Sequence, residues 1–287
     1  MLTYWIFRAF VGLFRLIPFS ILYRISDVVN FILMDLLAYR KKVVTSNMKR
    51  CFPNWSDTEL KHHIKSSYKN LTDVLLEGVK GLSMNEDQVR QRYIPVNMDS
   101  FEKHLASGQS LMVAAAHITN WEWGAMASGY LYPGKVCGIY KEISNTRIND
   151  AVKEIRGACG IQLFGTKNTR FIREMMTENK FFLFASDQSP SNTKTAFWVN
   201  FFGQDTPCLN GLEKYSREFS TPVFYADVER ISRGKYTFTF QLMCERPQEL
   251  NPGELTQMYM SRLEAVIRRN PAWWLWTHKR WKHQRTA

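Results

Sequence analysis

Residues 111–122 read Leu111-Met112-Val113-Ala114-Ala115-Ala116-His117-Ile118-Thr119-Asn120-Trp121-Glu122. The first six are uniformly apolar and of strand length. Thr119 stands three before Glu122, the spacing of a capping box that opens a helix. The stretch therefore predicts a strand over 111–116 turning into a helix over 120–131. The same alternation continues toward the C-terminus. Strands are predicted over 136–140, 161–164 and 181–186, with helices over 145–159 and 169–177 between them. A helix over 209–219, two strands (222–229 and 235–243) around an Arg233-Gly234 turn, and a closing helix over 255–269 follow. Upstream, Ser56 three before Glu59 starts a helix over 56–80. Strands alternating with helices predict an α/β fold, a central mostly parallel sheet flanked by helices.

The chain has 287 residues, 45% of them hydrophobic and 22% charged. That composition belongs to a folded chain and excludes a disordered or collagen-like one. Its five cysteines form no CxxC pair, so neither a zinc site nor a disulfide framework is indicated. No GxGxxG or GxxxxGK[ST] loop is present, which argues against a nucleotide-dependent enzyme. The net charge of +12 sits at the two ends. Residues 1–50 carry eight Lys/Arg against Asp27 and Asp35, and residues 268–287 carry six with no acid. Two basic ends around a neutral body point to attachment to a surface, either anionic lipid or nucleic acid.

The N-terminus favours lipid. Residues 2–23 are mostly apolar and long enough to cross a bilayer, but Arg8 and Arg15 interrupt them. Seven residues apart, the two arginines share one helical face, as in a helix that lies in a membrane surface. Pro18 is expected to end or kink this helix, and a second apolar stretch over 25–37 runs into Arg40-Lys41-Lys42. The pair reads as a membrane-associated helical hairpin over 1–45, with the body of the protein over 46–287. Buried helices of a soluble core are the competing reading. The C-terminal segment Trp273–Lys282 interleaves aromatics with bases, which suits a membrane interface, a single-stranded nucleic acid or packing against the core.

His117 ends an apolar strand, and in an α/β sheet ligands sit at the carboxyl ends of the strands. As a general base it would take a proton from a substrate hydroxyl, with Glu122 holding the imidazole tautomer. A plain helix cap and a core histidine are the structural alternatives. Tyr140-Lys141 ends the next predicted strand, placing a cation at the same edge, and Asp187-Gln188 ends the one after, placing a carboxylate and an amide there. Arg170 is a further candidate phosphate contact, weighed against a solvated helix-start arginine.

These motifs carry a resemblance. His117-x4-Glu122, Gly138-Ile139-Tyr140-Lys141, Asp187-Gln188, Phe201-Phe202-Gly203, Asn47-Met48-Lys49-Arg50-Cys51-Phe52-Pro53 and Trp276-x-His278-x-Arg280-Trp281-Lys282 together resemble the lysophospholipid acyltransferase superfamily. Within it the chain is similar to the late acyltransferases of bacterial lipid A biosynthesis, the lauroyl/myristoyl transferase group. The resemblance implies transfer of a fatty acyl group from acyl carrier protein, or a similar thioester, to a hydroxyl of a lipid A precursor. It implies an inner-membrane enzyme with its site facing the cytoplasm, and no cofactor, metal or nucleic acid. His117 would be the base and Glu122 its partner. Asn120, Tyr140, Lys141, Arg170, Asp187 and Gln188 would contact the acceptor. Many members have Arg where this chain has Lys141. Another lipid acceptor, or a non-catalytic basic membrane-binding protein, stays open as an alternative.

Overall fold

The structure, a computed structural model, describes residues 2–140, 145–165 and 169–285. Among them, helices α1 (Leu2–Leu16) and α2 (Phe19–Phe31), a π-helical turn (Ile32–Leu36), α3 (Lys41–Cys51), α4 (Asp57–Gly81) and α5 (Glu86–Arg90) precede β1 (Tyr93–Pro95). Then come α6 (Asp99–Ala106), β2 (Leu111–Ala115), α7 (Trp121–Leu131), β3 (Val136–Tyr140), α8 (Thr146–Ala158), β4 (Ile161–Gly165), α9 (Thr169–Met175) and β5 (Phe181–Ala185). The hairpin β6 (Phe197–Phe201) and β7 (Gln204–Cys208) is followed by α10 (Gly211–Glu218), β8 (Val223–Ser232), β9 (Lys235–Cys244) and α11 (Glu254–Arg269).

Seven strands form one sheet in the order β1-β9-β8-β2-β5-β3-β4. Every pairing in it is parallel except β8 with β9, which are joined through the expected turn at Arg233-Gly234. The sequence expectation of a mostly parallel sheet between helices therefore holds. β2 lies in the middle, which explains its unbroken apolar run: a strand covered on both faces has no polar side to show. Met112, Ala114 and Phe182 face a core that includes Leu212 of α10 with Tyr259 and Leu263 of α11. Leu111, Val113 and Phe181 face the opposite core, with Phe101 of α6 and Trp123 of α7.

The N-terminal helices show a reversed polarity. Pro18 caps the start of α2, so the second helix begins there rather than at residue 25. The buried ammonium of Lys80, on α4, donates to the carbonyls of Phe14, Arg15 and Ile17 at 2.7, 3.0 and 2.9 Å. A cation thereby satisfies the orphan carbonyls at the C-terminus of α1. α2 turns its polar side inward. Tyr23 donates to Glu77 at 2.7 Å and Ser26 to Asp73 at 2.6 Å. Arg233 bridges Asp27 and Asp73, and Arg230 adds a second guanidinium to Asp73 at 2.6 Å. Asp73 is fully buried, and two guanidinium groups with the Ser26 hydroxyl together satisfy its carboxylate. Gly234 is needed here for two reasons: its φ is +69°, and a Cβ would fall 2.1 Å from the Tyr23 hydroxyl.

The outward side of the same helices is apolar. Trp5, Ile6, Phe10, Leu13 and Leu16 of α1 are exposed, as are Ile21, Val28 and Phe31 of α2 and Ile32 and Leu36 of the π-helical turn. Among the described residues no helix is long and apolar enough to cross a membrane.

Candidate active site

Register builds the site. β2 and β5 are parallel neighbours with Ala115 opposite Ala185. Each chain leaves the sheet through one further residue and then presents a titratable side chain, His117 on one and Asp187 on the other. Equal overhang at the carboxyl edge sets the two side by side. Tyr259 fixes the end of β2 by donating to the Ala115 carbonyl at 2.7 Å. Beyond it the chain turns sharply: Ile118 forms a bridge with Trp274, and Thr119 sits at φ +49° before α7 begins. Asn120 caps α7 by accepting the Trp123 N–H at 2.9 Å.

His117 Nδ1 lies 2.7 Å from Asp187 Oδ1. The other carboxylate oxygen, Oδ2, accepts the His117 main-chain N–H at 3.1 Å and the Trp274 indole N–H at 2.9 Å. An ionised Asp187 can only accept, so Nδ1 carries the proton and Nε2 presents a lone pair. Burial alone would raise the Asp187 pKa. The His117 imidazole and these three N–H groups overcome it and hold the carboxyl at about 2. For His117 burial opposes the charged form, but Asp187, and after it Glu122, outweigh burial and leave the pKa above 6.5. The imidazole keeps 19% of its side-chain surface exposed, while Asp187 keeps 2%. The ring meets Trp121 edge-on at 5.0 Å. The Gln188 amide nitrogen lies 3.2 Å from His117 Nε2.

The site residues expected from sequence divide. His117, Asp187 and Gln188 come together. Glu122, expected to hold the imidazole, does not: it lies on the first turn of α7 and pairs with Arg156 of α8. The hydrogen bond to Nδ1 belongs to Asp187, which was expected in the acceptor pocket. Strand pairing across the sheet delivers that carboxylate, whereas Glu122 is carried off by the helix that starts between it and His117. Asn120 is fully buried as the cap of α7 and donates to Glu77 at 2.8 Å, so its side chain is spent on structure. Tyr140 donates to Asn149 at 3.1 Å. Arg170 is 90% exposed and pairs with Glu174 one helical turn on, the solvated helix-start alternative. Lys141 lies outside the described residues.

Sequence reasoning missed the role of the C-terminal segment. Trp274, Trp276 and Arg280 are buried, so this stretch packs into the core rather than lying at an interface. It reaches the site twice, through the Trp274 indole on Asp187 and through His278. The Nε2 of His278 accepts the Ser189 main-chain N–H at 2.9 Å. Burial pushes that imidazole down to about 4 and keeps it a neutral acceptor. Beside Trp121, a narrow slot runs between α4 and this segment, lined by Tyr68, Leu71, Val74, Trp273, Trp274 and Leu275 among others. Among the described residues no group of three His, Cys, Asp or Glu is placed to hold a metal ion.

An imidazole oriented by a buried carboxylate is the arrangement that can serve as a general base, and among the described residues no serine or cysteine side chain is hydrogen-bonded to the His117 ring. The model of a family described as bacterial lipid A biosynthesis acyltransferase matches residues 1–283. The chain is also similar to the lipid A biosynthesis lauroyltransferase of Escherichia coli (strain K12), at 19% identity over 283 residues, covering 97% of this chain and 92% of the relative.

Proposed function

We propose that this chain, which belongs to the bacterial lipid A biosynthesis acyltransferase family, moves a fatty acyl group from the thioester of acyl carrier protein to a hydroxyl of a lipid A precursor at a membrane surface. The observation that carries the mechanism is the His117 Nε2 lone pair, left unprotonated because Asp187 holds Nδ1 and met by the neutral amide of Gln188. The acceptor O–H gives its proton to Nε2 as its oxygen attacks the thioester carbonyl carbon. The resulting imidazolium is stabilised by Asp187. When the tetrahedral intermediate collapses, the C–S bond breaks and the imidazolium proton passes to the departing thiolate. An ester forms, a thiol is released and the base is regenerated.

The exposed Trp, Phe, Leu and Ile side chains of α1, α2 and the π-helical turn support a hairpin that lies in a bilayer interface. Basic residues flanking them would meet anionic lipid and an acidic carrier protein. We assign the enzyme to the inner membrane of a bacterium, with its site toward the cytoplasm.

The test is an acylation assay with purified full-length chain, carrier-linked fatty acids of graded length and three acceptors: a lipid A precursor, a lysophospholipid and an aminolipid. Mass spectrometry is expected to find one acyl chain added as an ester to the lipid A precursor. Turnover confined to another acceptor would overturn the assignment of substrate, and none at all would overturn the reaction. Rate should also depend on pH in a defined direction. Neutral imidazole is the active form and the His117 pKa is raised, so kcat/KM should fall as pH drops, through an ionisation above 6.5. An acid limb at or below that value in a pH profile would contradict the Asp187 pairing.

A further inference from the structure

The reaction above needs a donor for the negative oxygen of the tetrahedral intermediate, and we propose that the side-chain amide of Gln188 is that donor. The inference rests on the acyl-transfer reading and extends it to a group with no role in the proton transfer.

Gln188 is held between two pinned neighbours. Asp187 takes three N–H bonds, and the Ser189 N–H is fixed on His278 at 2.9 Å. Its amide reaches His117 Nε2 at 3.2 Å. With the proton on Nδ1, that contact is an N–H donated into the lone pair of the base. The amide thus stands where an acceptor hydroxyl has to arrive, about 2.6–3.2 Å from Nε2. The hydroxyl displaces it, and the carbonyl carbon under attack is one bond from that hydroxyl oxygen. A donor pushed aside by one oxygen remains within hydrogen-bond reach of the carbonyl oxygen. It carries two N–H groups and no charge, so it competes for no proton.

Several of the nearby N–H donors are otherwise engaged. The His117 N–H goes to Asp187, the Thr119 N–H to the Trp273 carbonyl at 2.9 Å and the Trp123 N–H to Asn120. The Arg156 guanidinium is paired with Glu122.

The experiment measures kcat, KM and pH profile of the full-length enzyme for wild type, His117→Ala, Gln188→Ala and the near-isosteric Gln188→Glu, using a carrier thioester and the lipid A precursor. Loss of one oxyanion donor typically costs about 10²–10³ in kcat. Gln188→Ala is therefore expected to lose kcat by that factor, with KM little changed and the acid limb near its wild-type position. Gln188→Glu has the shape but, when ionised, no N–H. It should lose at least as much, with the acid limb displaced upward by a carboxylate beside the imidazolium. Melting temperatures close to wild type for either variant separate these losses from misfolding. Gln188→Ala with wild-type kcat, or with its whole loss in KM, overturns the proposal while an active wild type and an inactive His117→Ala keep the acyl-transfer reading. A wild type that transfers no acyl group to any acceptor overturns both.

Discussion

Replacing His117 with alanine is expected to lower acyl transfer by about 10²–10⁴-fold, the contribution of a positioned general base, while leaving the fold in place. The second half of that expectation has a structural reason. Asp187 loses the imidazole but keeps the Trp274 indole and the main-chain N–H of residue 117, so no buried carboxylate is left without donors. The imidazole itself is partly exposed, and its removal opens no sealed cavity. Single-turnover assays with a carrier thioester give the rate, and circular dichroism with a thermal melt gives the fold. A variant turning over within tenfold of wild type would remove His117 as the base.

Asp187→Asn should be at least as damaging through a different route. Two N–H groups, from Trp274 and from residue 117, converge on Oδ2. An asparagine keeps both only by placing its oxygen there and turning its NH2 group toward His117 Nδ1. The imidazole must then accept at Nδ1 and carry its proton on Nε2, the tautomer that cannot take a proton from a hydroxyl. A wrong tautomer in a Ser-His-Asp triad costs about 10⁴ in kcat, and a loss of that order is expected here. The carboxylate charge that raises the His117 pKa disappears as well, so the acid limb of the residual activity should move down. Glu122→Gln leaves Nδ1 bonded to Asp187, and its expected signature is a downward shift of that limb, since Glu122 also raises the His117 pKa. Equal losses of kcat with an unmoved pH profile in Asp187→Asn would refute the tautomer argument.

Much of the sheet was legible because its strands are short apolar runs bounded by turn residues. LMVAA and FFLFA are covered on both faces, and a doubly covered strand has to be apolar throughout. The hairpin β6–β7 escaped for the opposite reason. Its strands mix Trp198 and Val199 with Asn200, Asp205 and Pro207, and they pair only with each other. Its signal was the Phe202-Gly203 turn, where both residues have positive φ. At the site, His117 was legible as a residue ending a strand, but its partner was sought on the same segment. A partner supplied by strand pairing leaves no local spacing to find. The clue was an equality of overhang: His117 and Asp187 each fall two residues past alanines that turn out to be opposite each other. The Trp274 indole lies 87 positions from the carboxylate it holds, and nothing local in the sequence marks that contact. Trp273–Lys282 mixes rings and bases like an interfacial belt, and only burial identifies Trp274, Trp276 and Arg280 as core.

The carboxyl of Glu77 has a consequence for how the two ends of this molecule behave. One of its oxygens takes the hydroxyl of Tyr23, on a helix whose far side is bare hydrocarbon; the other takes Tyr236 and the amide of Asn120, the residue from which α7 departs behind His117. A single sequestered group is thus a shared hinge pin between the greasy flank and the reacting centre. Lifting α2 away strands one of its contacts, at about 1–3 kcal/mol for a polar group left wanting in the interior. On the proposed reading, in which α1 and α2 rest on a bilayer and His117 is the base, the same carboxyl would tie the seating of α2 to the placement of the loop that carries His117.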